Sequence, residues 1–250
     1  MQDFRITFSR YLKLNWQFGL LLILLFGIPR FITVLEANRT GNYNYTSFIF
    51  LLMWITPFIL LTKQGRNLIG IRKPSNYLWL AYSFLFGVIA CMIVYFLGDW
   101  LYQNSISNWF VYISNSYTIP VGELENNRNI YFLIFALIGM TFSPIGEELL
   151  YRGLIHQSFV AKFGENKASI LDSLAFAITH LAHFGIIYSF GGWHFYFLPA
   201  LLWMIIMFLT GRLFYYCKNK TGSIYGAILS HAGFNLAMTF MIFYYILDLL

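Results

Sequence analysis

Glu147, Arg152, His180, His231 and Asn235 are polar residues set inside segments that are otherwise almost continuously apolar. Hydrocarbon solvates neither a carboxylate nor an imidazole, so ionisable groups inside membrane spans face a cavity or one another, and they mark function. Together these five offer a carboxylate, two imidazoles and an amide. Hydrolysis of a peptide bond by an activated water needs such parts: a base, a proton carrier and an oxyanion stabiliser.

The spacings assign the parts to faces. In Ser143-Pro144-Ile145-Gly146-Glu147-Glu148-Leu149-Leu150-Tyr151-Arg152 the adjacent glutamates point about 100° apart on a helix, so they cannot share one task. Glu148 and Arg152, spaced i, i+4, can form an ion pair. That pairing leaves Glu147 without a partner, roughly 7.5 Å along the axis from Arg152 and within reach of the cytoplasmic half of a water-filled cavity. An interfacial cluster closing a helix end accounts for Glu148 and Arg152, and less well for Glu147. Phe176 and His180 share a helical face. His183, one turn on, reads as an ordinary core histidine, and Asp172, near the cytoplasmic helix start where the dipole favours an anion, reads as interfacial. The i, i+4 pair His231 and Asn235 suits an oxyanion hole, although an interhelical hydrogen bond gluing a bundle explains either residue alone. Gly233 between them lets another backbone approach.

Other chemistries fit less well. Ser143 and Ser230 have no base at a useful spacing, and Cys91 and Cys217 lie outside the cluster, which disfavours a covalent nucleophile. Zinc on Glu147, His180 and His231 is chemically possible, but the chain lacks His-Glu-x-x-His and Asn235 is a poor ligand. A metal-free site without cofactor is expected. The two cysteines, far apart and in or beside apolar segments, read as buried small hydrophobes.

The elements that must position these residues are transmembrane helices. The 250 residues are 59% hydrophobic and 10% charged, with mean hydropathy +0.64, far below the roughly one-quarter charged content of soluble domains. Runs near 16–36, 46–63, 77–98, 130–152, 169–187, 195–217 and 223–247 approach the roughly 20 residues a crossing needs, which predicts an all-α, polytopic bundle of seven spans, or eight should 101–118 dip into the interface. The first run leads to Gly27-Ile28-Pro29-Arg30 rather than a small-residue cleavage site, so it reads as a retained span. Trp and Tyr near the run ends read as interfacial anchors. The net charge of +6 with pI near 9.2 resides in short connections, so orientation explains it better than nucleic-acid binding. With seven crossings, Arg5, Arg10, Lys13, Lys63, Arg66, Arg72, Lys73, Arg152, Lys162, Lys167, Arg212, Lys218 and Lys220 fall on one side. Arg39 and Arg128 fall on the other, with Glu36, Asp99, Glu123 and Glu125, while Arg30 lies at a span end. Basic excess marks the cytoplasmic face, which puts the N-terminus inside. One domain is expected, with spans before residue 130 free of the motifs and residues 130–250 as the catalytic core.

Glu-Glu-x-x-x-Arg at Glu147 to Arg152, followed by Gly153, Phe-x-x-x-His at Phe176 to His180 and His-x-x-x-Asn at His231 to Asn235, in this order on apolar helices, resemble the CPBP family of CAAX proteases and bacteriocin-processing enzymes, also called Abi, which includes the type II CAAX prenyl endopeptidase. The resemblance implies an intramembrane glutamate endopeptidase: Glu147 activates water with help from His180, His231 and Asn235 stabilise the oxyanion, and Glu148, Arg152 and Phe176 support them. It also implies a peptide or protein-terminus substrate. The richness in Phe, Tyr, Ile and Asn suggests an AT-rich bacterial genome, and with it a plasma-membrane location and a bacteriocin or pheromone precursor. The rival from another class is a non-catalytic immunity or scaffold protein that binds a peptide or sensor kinase in the same cavity. A proton-coupled transporter is the third option, against which the lack of an inverted repeat counts.

Overall fold

The computed structural model describes residues 3–117, 119 and 122–247, with Glu123, named above among the outer acids, described in its backbone alone. The helices are α1 (Ile6–Ser9), α2 (Trp16–Thr40), α3 (Asn44–Leu60), α4 (Lys63–Leu68), α5 (Leu78–Tyr102), α6 (Trp109–Ser114), α7 (Glu123–Glu148), α8 (His156–His180), α9 (Phe197–Thr221) and α10 (Ile224–Met241). Local chemistry sets many of the ends. Asn15 and Ser223 accept backbone N–H groups at the starts of α2 and α10, and Gly41 and Gly222 close α2 and α9 in the left-handed region, a conformation glycine adopts without a Cβ clash.

Three wider π turns interrupt this pattern: Ile23–Gly27 within α2, Leu149–Ile155 between α7 and α8, and Ile242–Ile246 after α10. Such turns concentrate at functional sites because the extra residue re-aims neighbouring side chains. Each lies on an element that also carries one of the buried polar groups described below.

The protein is nearly all α-helical and polytopic. Among the described residues five helical stretches are long and apolar enough to cross a membrane, namely α2, α5, Leu124–His180, α9 and Ile224–Ile246, and α3 is a shorter apolar helix. Leu124–His180 is not one rod, because Gly164 at φ 75°, ψ 163° folds it into two limbs. Exposed Leu, Ile and Phe residues along α2, α5 and α7 suit hydrocarbon, which asks every backbone group to be paired within its own helix.

Two sequence expectations change. The run 169–187 is helical only to His180. Its end turns into a two-stranded antiparallel hairpin, β1 (Ile186–Ser189) with β2 (Gly192–Phe195), in the register Ile186 to Phe195. Of the stretch 101–118, Leu101 and Tyr102 end α5 and the described residues 103–117 hold the six-residue α6, whose Trp109 and Phe110 are fully buried. It folds onto the bundle, with Trp109 stacked on Trp203 and its Nε1 donating to the Val94 carbonyl at 3.2 Å.

The core gathers around α10, which packs against α5, α7 and α9. Glycine makes the α5–α10 crossing close: a Cβ at Gly233 would overlap the Phe84 carbonyl, and one at Gly87 would overlap that of Ser230. The expected approach at Gly233 is therefore real. Because the obstacles are backbone, the helices themselves must separate. Gly233→Ala should cost about 1–3 kcal/mol, read as a lower unfolding temperature of the purified protein in detergent; an unchanged temperature refutes the tight crossing.

Candidate active site

Glu147 closes the last turn of α7 and is completely buried. It points into the bundle, with Oε2 3.9 Å from Nε2 of His180 on α8 and 3.9 Å from Nε2 of His231 on α10. Three elements far apart in sequence thus bring the acid and the two imidazoles together.

The sequence reading of Glu147 as a carboxylate without a partner is overturned. Its Oε1 forms an ion pair with Arg30, which α2 places in the centre of the bundle rather than at a span end and which is only 1% exposed. The Arg30 guanidinium also donates toward Nε2 of His180 at 3.4 Å and of His183 at 3.3 Å. His183, expected to be an ordinary core histidine, is therefore a neighbour of the cluster. A signal existed for Arg30: the apolar run continues past it through Phe31, Ile32, Val34 and Leu35, and a buried carboxylate needs a cation.

Phe176, expected to support the site, packs between two of its members. Its ring lies 4.1 Å from that of His180, while the Arg152 guanidinium covers it at 4.2 Å. The four-residue spacing makes this stack possible. The Phe176 carbonyl accepts from His180 Nδ1 at 2.7 Å. In the tautomer assigned from that bond, Nδ1 carries the hydrogen and Nε2 turns its lone pair toward Arg30 and Glu147.

Glu148 and Arg152 pair as expected, at 3.3 Å, but Glu148 does more. It accepts from His231 Nδ1 at 2.9 Å, fixing that ring in the way a carboxylate orients a catalytic imidazole. The Phe214 ring stacks against His231 at 4.7 Å from the other side. Asn235 points its amide at α7, donating to the Gly139 carbonyl at 2.9 Å, which commits one of its two N–H groups.

Behind Arg152 lies a second polar chain. Asp172, expected at the interface, is completely buried, with Arg152 Nε at 3.7 Å and His156 Nδ1 at 2.7 Å. His156 Nε2 in turn meets Glu165 at 2.8 Å, and that carboxylate is 61% exposed. Arg152 itself is fully buried rather than a flanking cation in a connection. His156 escaped sequence reasoning because no helical periodicity links it to Asp172: the fold at Gly164 brings them together.

A cavity of about 260 Å³ opens beside these groups, with Arg30, Tyr43, Ser143, His180, His231 and Asn235 among its lining residues. Glu147 sits immediately behind the wall that Arg30 and the imidazoles form. Tyr43, in the connection before α3, donates to Asn38 Oδ1 at 2.6 Å, and burial pushes its hydroxyl up to about 12, so it remains a hydrogen-bond donor at that wall. Both cysteines are free and buried, as expected. Neither Cys91 nor Cys217 lines the cavity.

Residues 129–237 match a family model described as type II CAAX prenyl endopeptidase, Rce1-like. No curated protein and no solved structure matches the chain. The matched stretch carries Glu147, Glu148, Arg152, Phe176, His180, His231 and Asn235, and it excludes Arg30. Residues 129–237, somewhat less than half of the chain, are thus similar to the type II CAAX prenyl endopeptidase family, the protease family that the three motifs resemble.

Proposed function

We propose that this protein is a glutamate-type, metal-independent intramembrane endopeptidase that cleaves a membrane-associated peptide or a protein terminus. The observation that carries this reading is Glu147 lying 3.9 Å from both His180 and His231 in a buried cluster behind a cavity wall. Water held between Glu147 and His180 gives up a proton to this pair, and its oxygen attacks the scissile carbonyl carbon. The carbonyl electron pair moves to oxygen, where the His231 imidazole, oriented by Glu148, and the remaining Asn235 N–H stabilise the oxyanion. Collapse breaks the C–N bond, and the proton taken from water passes to the leaving amine.

Arg30 supports the metal-free form. Its guanidinium places a fixed positive charge against Glu147 and against Nε2 of His180, where a zinc ion shared by those two ligands would be repelled. The apolar runs and basic asymmetry support a plasma-membrane protein of seven crossings with the N-terminus inside, acting on a bacterial peptide precursor or a CAAX-like terminus.

The test incubates the purified protein in lipid nanodiscs with a prenylated C-terminal peptide and an unmodified membrane-bound leader peptide, with and without a chelator, and reads products by mass spectrometry. Cleavage of either peptide at one bond, persisting under chelation, supports the reading. Binding with return of uncut peptide overturns it in favour of a scaffold, and loss of cleavage under chelation overturns the metal-free form.

A further inference from the structure

The cations of the buried cluster are few, and each is already committed. Glu147 and Glu148 are neighbours in sequence and both are fully buried. Two carboxylates this close do not both remain ionised in a medium of low dielectric unless each has its own cation. Arg152 is occupied by Glu148 at 3.3 Å and Asp172 at 3.7 Å, and Lys218 Nζ donates to the Arg152 carbonyl at 2.5 Å. Arg30 is the cation that meets Glu147.

The position of Arg30 is built rather than incidental. It follows the π turn Ile23–Gly27 and Pro29, which rotate the end of α2, and its guanidinium lies 5.6 Å from the centre of the Phe50 ring. Its Nη2 approaches both His180 and His183, so one rigid fork touches the acid and two imidazoles at once. Around Glu147 stand Arg30 from α2, Glu148 beside it, Tyr151 and Arg152 from the π turn, His180 and His183 from α8, and His231 from α10.

We propose that Arg30 is a positioning residue of this centre: its guanidinium holds the Glu147 carboxylate in place, aimed between His180 and His231. The proposal rests on the endopeptidase reading above and adds a residue from outside the matched domain, so the first membrane helix completes the site. The role is electrostatic and geometric, and Arg30 need not touch the substrate.

The test measures kcat and KM of cleavage for the full chain in nanodiscs, using whichever of the two peptides the wild type cuts, for Arg30→Met, Arg30→Lys and Glu147→Gln. Arg30→Met should lower kcat at least about 100-fold while KM changes less than about threefold. Arg30→Lys should recover much of kcat. The double variant Arg30→Met with Glu147→Gln, which removes both charges, should unfold close to the wild-type temperature, separating a folding defect from a catalytic one. Wild-type kcat in Arg30→Met, a gain in kcat, or no recovery by lysine overturns the proposal while inactive Glu147→Gln leaves the endopeptidase reading standing. Full cleavage by Glu147→Gln, or none by the wild type, overturns both.

Discussion

Glu147→Gln should reduce cleavage by at least about 1,000-fold while the protein still accumulates in the membrane. Gln matches the shape of Glu, and its amide oxygen can still accept from Arg30, so the bundle keeps its packing. The change removes the negative charge that takes up a proton, and a positioned general base contributes about 100- to 10,000-fold. Because Glu147 and His180 act on one water, His180→Ala in the same background should add little further loss, the non-additivity expected of groups that work as a unit. Product formation by membranes carrying matched amounts of each variant is the measurement. Undiminished turnover by Glu147→Gln sinks the assignment.

Arg152→Met should have the largest effect on the fold. The guanidinium is fully buried against Glu148 and Asp172 and lies flat over Phe176 at 4.2 Å. Methionine fills part of the space and abandons two carboxylates in the interior. Breaking a buried pair from one side costs about 3–5 kcal/mol because the remaining charge is uncompensated. Less folded protein and a markedly lower unfolding temperature in detergent are expected. Arg152→Lys should recover little, since a compact ammonium neither stacks on Phe176 nor reaches two carboxylates as a planar fork does. A wild-type unfolding temperature for Arg152→Met contradicts the buried network.

Much of this centre was legible in the sequence because its motifs are local. Glu148 with Arg152 and Phe176 with His180 each depend on a four-residue helical step, and both contacts form. The helices were legible for a similar reason: long apolar runs leave the backbone few alternatives in lipid. What escaped depends on neighbours that sequence distance hides. Arg30 read as a residue at a span end because its counter-charge lies on another helix, and Asp172 looked interfacial because His156 reaches it only after the chain folds at Gly164. The hairpin was hidden because Ile186, Ile187 and Tyr188 continue the apolar character of the preceding helix, so composition alone does not separate strand from span.

The ion pair between Arg30 and Glu147 also bears on how the chain is made. Arg30 leaves the ribosome well over a hundred residues before Glu147, so the first helix enters the bilayer carrying a cation whose counterion has yet to be synthesised. An arginine at the centre of an inserting helix costs about 2.5–3.5 kcal/mol on translocon scales. The energetic expectation is a newborn helix that rests shallow, its guanidinium drawn to the nearest aqueous boundary, until the fourth apolar run brings the counterion that can seat it.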